Sequence, residues 1–354
     1  MEFALGTEAL SEYLAYELSG AARKLVEQVM LAKPGEQVAI TADTASDPRV
    51  VAATANAAFA AGAVPVVLWY PTNLTSGQDP PRPVAAAIAD SDIWIEYAVG
   101  YTLYSNAFRR AMERGTRYIC LSGVDVDLVT RAIGRVNYPK MLELGRTLQA
   151  LLGETRMVRV TSRAGTDLVA DNAGRYVRHS GKLADTPGEP IMLGGQVSWA
   201  PLEETINGRL VVDACIWPPA EIGLVRSPVT LVIEKGLVKR VEGAAEAAVY
   251  ERWLASWNDP HMYRVAHYSL GFNPGVTKPT GRIVEDERLF GCFNMGIGTQ
   301  GPQLKAVGWK AAAHTDCVML NPTIHLDDRP LQVDGRYVLP QVAAACRELG
   351  VPGY

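Results

Sequence analysis

The sequence predicts an α/β protein: an N-terminal doubly wound parallel-sheet domain followed by a C-terminal mixed, mostly antiparallel α+β domain. Three observations carry this. Strand-length apolar runs alternate with Ala-rich helical stretches as far as residue 154. From residue 155 the texture changes to short strands divided by Gly-rich turns. The length, 354 residues with 48% apolar and 20% charged side chains, is enough for two cores of ordinary globular composition. The expected domains are therefore 1–154 and 155–354.

Leu14, Leu18, Ala21, Leu25 and Val29 recur at helical spacing, predicting an amphipathic helix over 9–32 that Lys33-Pro34-Gly35 stops. Strands are expected at 37–41, 64–70, 93–98 and 118–122, with helices over 47–62, 82–90 and 104–114 between them. Strands that alternate with helices require right-handed crossovers, hence a parallel sheet. Neither GxGxxG nor GxxxxGK[ST] follows any of these strands, which argues against a nucleotide. In the second half the expected strands are 158–161, 168–171, 210–213 and 229–234, interrupted by a helix over 244–257. Residues 261–328, rich in Gly, Asn, His and Asp, read as irregular and as the place where chemistry resides, and 341–354 as a short helix with a frayed end.

Charge narrows the partners. Lys plus Arg number 34 against 38 Asp plus Glu, leaving a net −4 with no basic run, so nucleic acid is not expected. The longest apolar stretches are strand-sized, and residues 1–8 are acidic where a secretory signal would be basic and then apolar. The expectation is a cytoplasmic protein without membrane contact, and a homo-oligomer, as most soluble oligomers are symmetric assemblies of one chain. Five widely spaced cysteines fit neither a disulfide framework nor a CxxC zinc site, and read as buried thiols.

Of the five histidines, His267 and His314 sit in apolar surroundings. In a strand, residues two apart point the same way, so His314 and Asp316 would present an imidazole and a carboxylate on one face. That pair suits a divalent metal, and equally suits a carboxylate that only orients a histidine. His267 alone is open to the same two readings.

The runs Thr161-Ser-Arg-Ala-Gly-Thr-Asp-Leu, Glu203-Glu-Thr-Ile-Asn-Gly-Arg-Leu-Val-Val-Asp, Ile233-Glu-Lys-Gly, Ala266-His-Tyr-Ser-Leu-Gly-Phe-Asn-Pro and His314-Thr-Asp occur in this order. Together they resemble the thermophilic metallo-aminopeptidase superfamily, and within it more closely the 2,5-dihydroxypyridine 5,6-dioxygenase branch. The resemblance implies metal ligands at His267, His314 and Asp316. Two imidazoles and one carboxylate leave three open positions, the arrangement of non-haem Fe(II) oxygenases. The two-metal site of the peptidase branch does not carry over: Gln196 stands where its first Glu ligand falls, His267 where its second does, and Asn294 where one of its His ligands does.

The implied activity is a mononuclear Fe(II) dioxygenase that cleaves a hydroxylated aromatic or N-heteroaromatic ring, with a small aromatic substrate and dioxygen as partners. The alternative is a mononuclear Zn or Co hydrolase acting on an amide or cyclic amide through the same ligands. A third reading is a binding protein on a decayed peptidase fold. Tyr104, opening a helix, is the candidate to hydrogen-bond a ring hydroxyl across the domain cleft. Glu285, from the run Glu285-Asp286-Glu287-Arg288, is the candidate acid or base. Trp199 and Asn294 are further substrate-contact candidates, Phe293 is better placed in the core, and Asn273-Pro274 shapes the loop behind His267. His179, His261 and His325 read as surface residues.

Overall fold

The computed structural model describes residues 14–73, 75 and 77–354. The described residues divide into two compact units, one formed by those within 14–136 and 181–194, the other by 137–180 and 195–354.

In the first unit, Ala15–Arg23 (α1) continues as a wider π-type turn through Val29. The segment 9–13 of the expected helix lies outside the described residues. Strands Gln37–Asp43 (β1), Val64–Tyr70 (β2), Ile93–Glu96 (β3) and Arg117–Cys120 (β4) alternate with helices Pro48–Ala60 (α2), Arg82–Ala89 (α3) and Asn106–Glu113 (α4), and Val126–Val129 forms a single turn (α5). Helix starts follow local chemistry: Asp47 accepts from the Arg49 amide with Pro48 in the first turn, and Ser105 accepts from the Phe108 amide at 3.1 Å. The sheet runs β2-β1-β3-β4, all parallel, and ends on a strand formed by 190–192. Its core clusters Trp94, Phe108 and Tyr118 with Val84, Ile88 and Ala107.

The second unit opens with Tyr138–Glu154 (α6), followed by Met157–Thr161 (β5), Asp167–Asp171 (β6) and Val177–His179 (β7). The chain then supplies Pro190–Met192 (β8) to the parallel sheet of the first unit and returns with Gln196–Trp199 (β9), Asn207–Val212 (β10), Cys215–Trp217 (β11), Gly223–Leu224 (β12), Val229–Glu234 (β13) and Leu237–Gly243 (β14). After Ala245–Ser256 (α7) come Val265–Gly271 (β15), Ile283–Asp286 (α8), Phe293–Gln300 (β16), Trp309–Met319 (β17), Thr323–Leu326 (β18), Arg329–Val333 (β19), Arg336–Tyr337 (β20) and Pro340–Leu349 (α9). An eight-stranded sheet has the order β14-β13-β10-β6-β5-β18-β19-β20, and a seven-stranded one β12-β11-β17-β16-β15-β9-β7.

Two expectations are corrected here. Helix α6, grouped with the first domain from sequence, packs in the second unit, where Lys140 bridges to Glu348 of α9 at 2.8 Å. Residues 261–328, read as irregular, contain the three long central strands of the seven-stranded sheet. His267, Ser269, Asn294, His314 and Asp316 fall on one face, with Val318 among them, and most of the apolar residues fall on the other, so these strands are amphipathic with period two. The apolar face, with Tyr268, Leu270, Phe293, Met295, Ile297, Cys317 and Met319, is buried. There Thr166, beside β6, sets its hydroxyl 3.7 Å from the Met319 sulfur and links the two sheets. All five cysteines are buried and form no disulfide. Among the described residues, no helix is long and apolar enough to cross a membrane.

Candidate metal centre

The polar face of the seven-stranded sheet is built by register. Across the central strands, His267 of β15 pairs with Gly296 of β16, and Gly296 with Asp316 of β17; one step along, Gly298 pairs with His314. Opposed residues of antiparallel strands point to the same side. The middle strand therefore presents two glycines between a histidine on one flank and a histidine and an aspartate on the other. A Cβ at Gly296 would lie 2.2 Å from His267 Nε2, so the missing side chain is what lets the flanking groups converge. A bulge between Val265 and His267 interrupts the ladder at this point and re-aims the strand.

The convergence is close. His267 Nε2 and His314 Nε2 are 3.3 Å apart, and each lies 3.4 Å from an oxygen of Asp316. The imidazoles stack at 5.2 Å with 19° between their planes. Among the described residues these three form the one group of His, Cys, Asp or Glu able to hold a metal. Edges of this length are those left between donors that sit about 2.1 Å from one ion. Two ring nitrogens facing each other over a carboxylate also place lone pairs where a cation, or a proton, is needed between them, so the set fits a metal.

Neighbours fix the donors. His314 Nδ1 lies 2.9 Å from the Thr299 carbonyl, which makes Nδ1 the protonated nitrogen and leaves Nε2 with its lone pair. Asn294 Nδ2 donates to Asp316 Oδ1 at 2.8 Å and to Ser269 Oγ at 3.2 Å. Burial pushes the His267 imidazole down to about 4, against the pull of Asp316, so it is neutral and able to ligate. Burial acts on His314 the same way, but the Asp316 carboxylate outweighs it and the net shift is upward. Asp316 itself is raised by burial and then held well below the usual carboxylate range by His314 and His267.

The other candidates fall in different places. Asn294 is fully buried and bonds to the metal-site carboxylate, so in this arrangement it orients Asp316. Trp199 pairs with Tyr268 on the apolar face and meets its ring edge-on at 5.9 Å; it lines the core and not the polar face, because in β9 it alternates with Gln196 and Ser198. Glu285 is buried against Thr280 Oγ1 at 3.0 Å and Arg282 at 3.2 Å, an anchor for its own turn. The member of its acidic run that reaches the polar face is Glu287, which accepts from Gln196 Nε2 at 2.7 Å. Gln196 also donates to Ser269 Oγ at 3.2 Å, so Glu287, Gln196, Ser269, Asn294 and Asp316 form one hydrogen-bonded line. Tyr104 belongs to the first unit, is half exposed, has φ +70° just before the cap of α4, and rests on Phe108 at 5.9 Å. Asn273 Oδ1 accepts from the Gly275 amide at 2.9 Å and shapes its loop. His179, expected at the surface, is buried beside Phe272.

Sequence reasoning missed Gly296, Ser269, Thr299 and Glu287. The period-two placement of Ser269 after His267, and of Gly296 and Gly298 after Asn294, is the signal that marks the first two.

The family model for 2,5-dihydroxypyridine 5,6-dioxygenase (NicX) matches residues 21–339. The 2,5-dihydroxypyridine 5,6-dioxygenase of Pseudomonas putida KT2440 is 29% identical over 209 residues, which cover 56% of this chain and 58% of that relative. The solved structure of 2,5-dihydroxypyridine dioxygenase from Pseudomonas putida KT2440 superposes with a TM-score of 0.77 at 21% identity, over 93% of this chain and 99% of that one. AmpT from Thermus thermophilus superposes at 0.68 with 15% identity, over 92% and 100%. The two structures share the fold of this chain. With a family match that spans both units, the chain belongs to the 2,5-dihydroxypyridine 5,6-dioxygenase family.

Proposed function

We propose that this protein is a mononuclear non-haem Fe(II) dioxygenase that opens a hydroxylated aromatic or N-heteroaromatic ring, with His267, His314 and Asp316 as the metal ligands. The observation that carries the reading is the convergence of two imidazole nitrogens and one carboxylate, on edges of 3.3 and 3.4 Å, in a chain of this family. A ferrous ion held there supplies the electron path by which dioxygen reacts with an electron-rich ring.

The protein's part is preorganisation. Thr299 holds the His314 tautomer, Asn294 holds the Asp316 carboxylate, and Gly296 leaves the space in which they meet. His267 and Asp316 keep only 13% of their side-chain surface exposed, and the apolar strand face behind them excludes water from one side. A ring hydroxyl that binds this face must shed its proton. We propose Glu287 as its acceptor, a second carboxylate whose hydrogen bond, from Gln196 Nε2 at 2.7 Å, reaches this face. The same reading holds the enzyme to be a cytoplasmic homo-oligomer.

A Zn or Co hydrolase would use the same three ligands. Oxygen uptake separates the two: the dioxygenase consumes one dioxygen per dihydroxylated ring opened and is silent under argon. Turnover of an amide under strict anaerobiosis, with no dioxygen consumed on any dihydroxylated ring, would overturn the proposal.

A further inference from the structure

Arg178 stands on β7 opposite Ser198 of β9, and Ser198 in turn faces Ser269 of β15. By this register Arg178 shares the polar face with Ser269, Asn294 and the three metal-site side chains. It is partly buried, and among the described residues its guanidinium makes no hydrogen bond or ion pair. Neighbouring cations are matched. Arg175 is bridged to Glu203, Arg288 to Glu287, and Lys305 lies 4.2 Å over the Tyr176 ring. Acids of the face are used as well, since Glu287 takes Gln196 and Arg288 while Asp316 takes both histidines and Asn294. A guanidinium offers five donors in a planar fork, and this one has no acceptor among the described residues. Two strand spacings, about 10 Å, separate its backbone from that of Ser269. That is the scale of a six-membered ring bearing one carboxylate. Its positive charge is also felt at His267, where it opposes protonation.

We infer that Arg178 binds a carboxylate carried by the hydroxylated ring, so that the substrate class is an acidic hydroxy-aromatic or hydroxy-N-heteroaromatic compound. The inference rests on the ring-opening reading above and narrows it. A bidentate Arg–carboxylate pair is both strong and directional, and a neutral ring would leave this guanidinium unused.

The test is calorimetric titration under argon of the Fe(II)-loaded protein with two probes that differ by one carboxylate, 2,5-dihydroxybenzoate and 1,4-dihydroxybenzene. Wild type should prefer the acid by about tenfold to a hundredfold, the effect of a hydrogen bond to a charged group. Arg178→Gln should bring the two probes to within about twofold, with iron content and thermal midpoint unchanged, and Arg178→Lys should keep part of the preference. Binding of both probes by wild type without preference, or a preference that survives in Arg178→Gln, overturns the inference and leaves the ring-opening reading standing. Binding of neither probe overturns that reading and this inference together.

Discussion

Two carboxylates withdrawn from water, one in each unit, are shifted in opposite directions. Glu96, at the end of β3 in the first unit, is fully buried and meets only neutral donors: the Thr102 amide at 2.8 Å, the Thr102 hydroxyl at 2.6 Å and the Tyr118 hydroxyl. Burial dominates, and its carboxyl is pushed up to about 7. Asp316, in β17 of the second unit, suffers the same desolvation. It meets two imidazoles at 3.4 Å, and these hold it below the usual carboxylate range. Burial alone therefore does not decide the direction of the shift; the groups that face the carboxylate do. Glu96 serves the fold as a hydrogen-bond hub. Asp316 serves the site as a standing anion.

The contrast can be broken most severely at Asp316 itself. Asp316→Asn removes the anion while keeping the shape, and should weaken metal binding by more than about a hundredfold, beyond the usual effect of changing a group that merely supports a ligand; metal analysis after dialysis reads it. Gly296→Ala tests the space between the flanking strands. Its backbone is not in the left-handed region, so alanine is tolerated conformationally, but the new methyl would meet His267 Nε2 at 2.2 Å. Metal affinity should fall by about a hundredfold as the ring swings away, with secondary structure by circular dichroism unchanged. Asn294→Ala frees the Asp316 carboxylate to rotate and should cost about 10–100-fold in metal affinity, in the range for groups that orient ligands.

The smallest effect sharpens the other side of the comparison. A carboxyl whose folded value is raised from 4.5 to about 7 stabilises the fold fully below the lower value, and that contribution is lost as pH rises through the upper one. Over this window Glu96 should cost the protein up to about 3 kcal/mol. Glu96→Gln keeps an acceptor for Thr102 and cannot ionise, so denaturant unfolding at pH 5 and pH 8 should differ less in the variant than in wild type. An unchanged difference would show that Glu96 is not the group being titrated.

Much of the first unit was legible because its elements obey simple periods. The predicted strands at 37–41 and 93–98 end within two residues of β1 and β3. A helix such as α6 shows its apolar stripe in the sequence but not which core receives it, and this one joins α9. Around the site, the grouping of His267, His314 and Asp316 was expected from the resemblance and the HxD spacing, and the structure brings the three together. The strands carrying it were not, because Gly296, Gly298, Asn294 and Ser269 weaken the apolar signal on one face. Trp199 was readable in principle, since alternation along β9 sets it opposite Gln196 and Ser198. The choice between Glu285 and Glu287 was not, because neighbouring acids on one helical turn diverge and only the packing of Arg282 and Gln196 selects between them.

The most direct measurement is an anaerobic equilibrium titration of wild type and His314→Ala with Fe(II), followed by metal analysis of the dialysed proteins. The expected outcome is one ion per chain in wild type, lost in a folded His314→Ala. Undiminished iron in the variant, or two ions per wild-type chain, would contradict it.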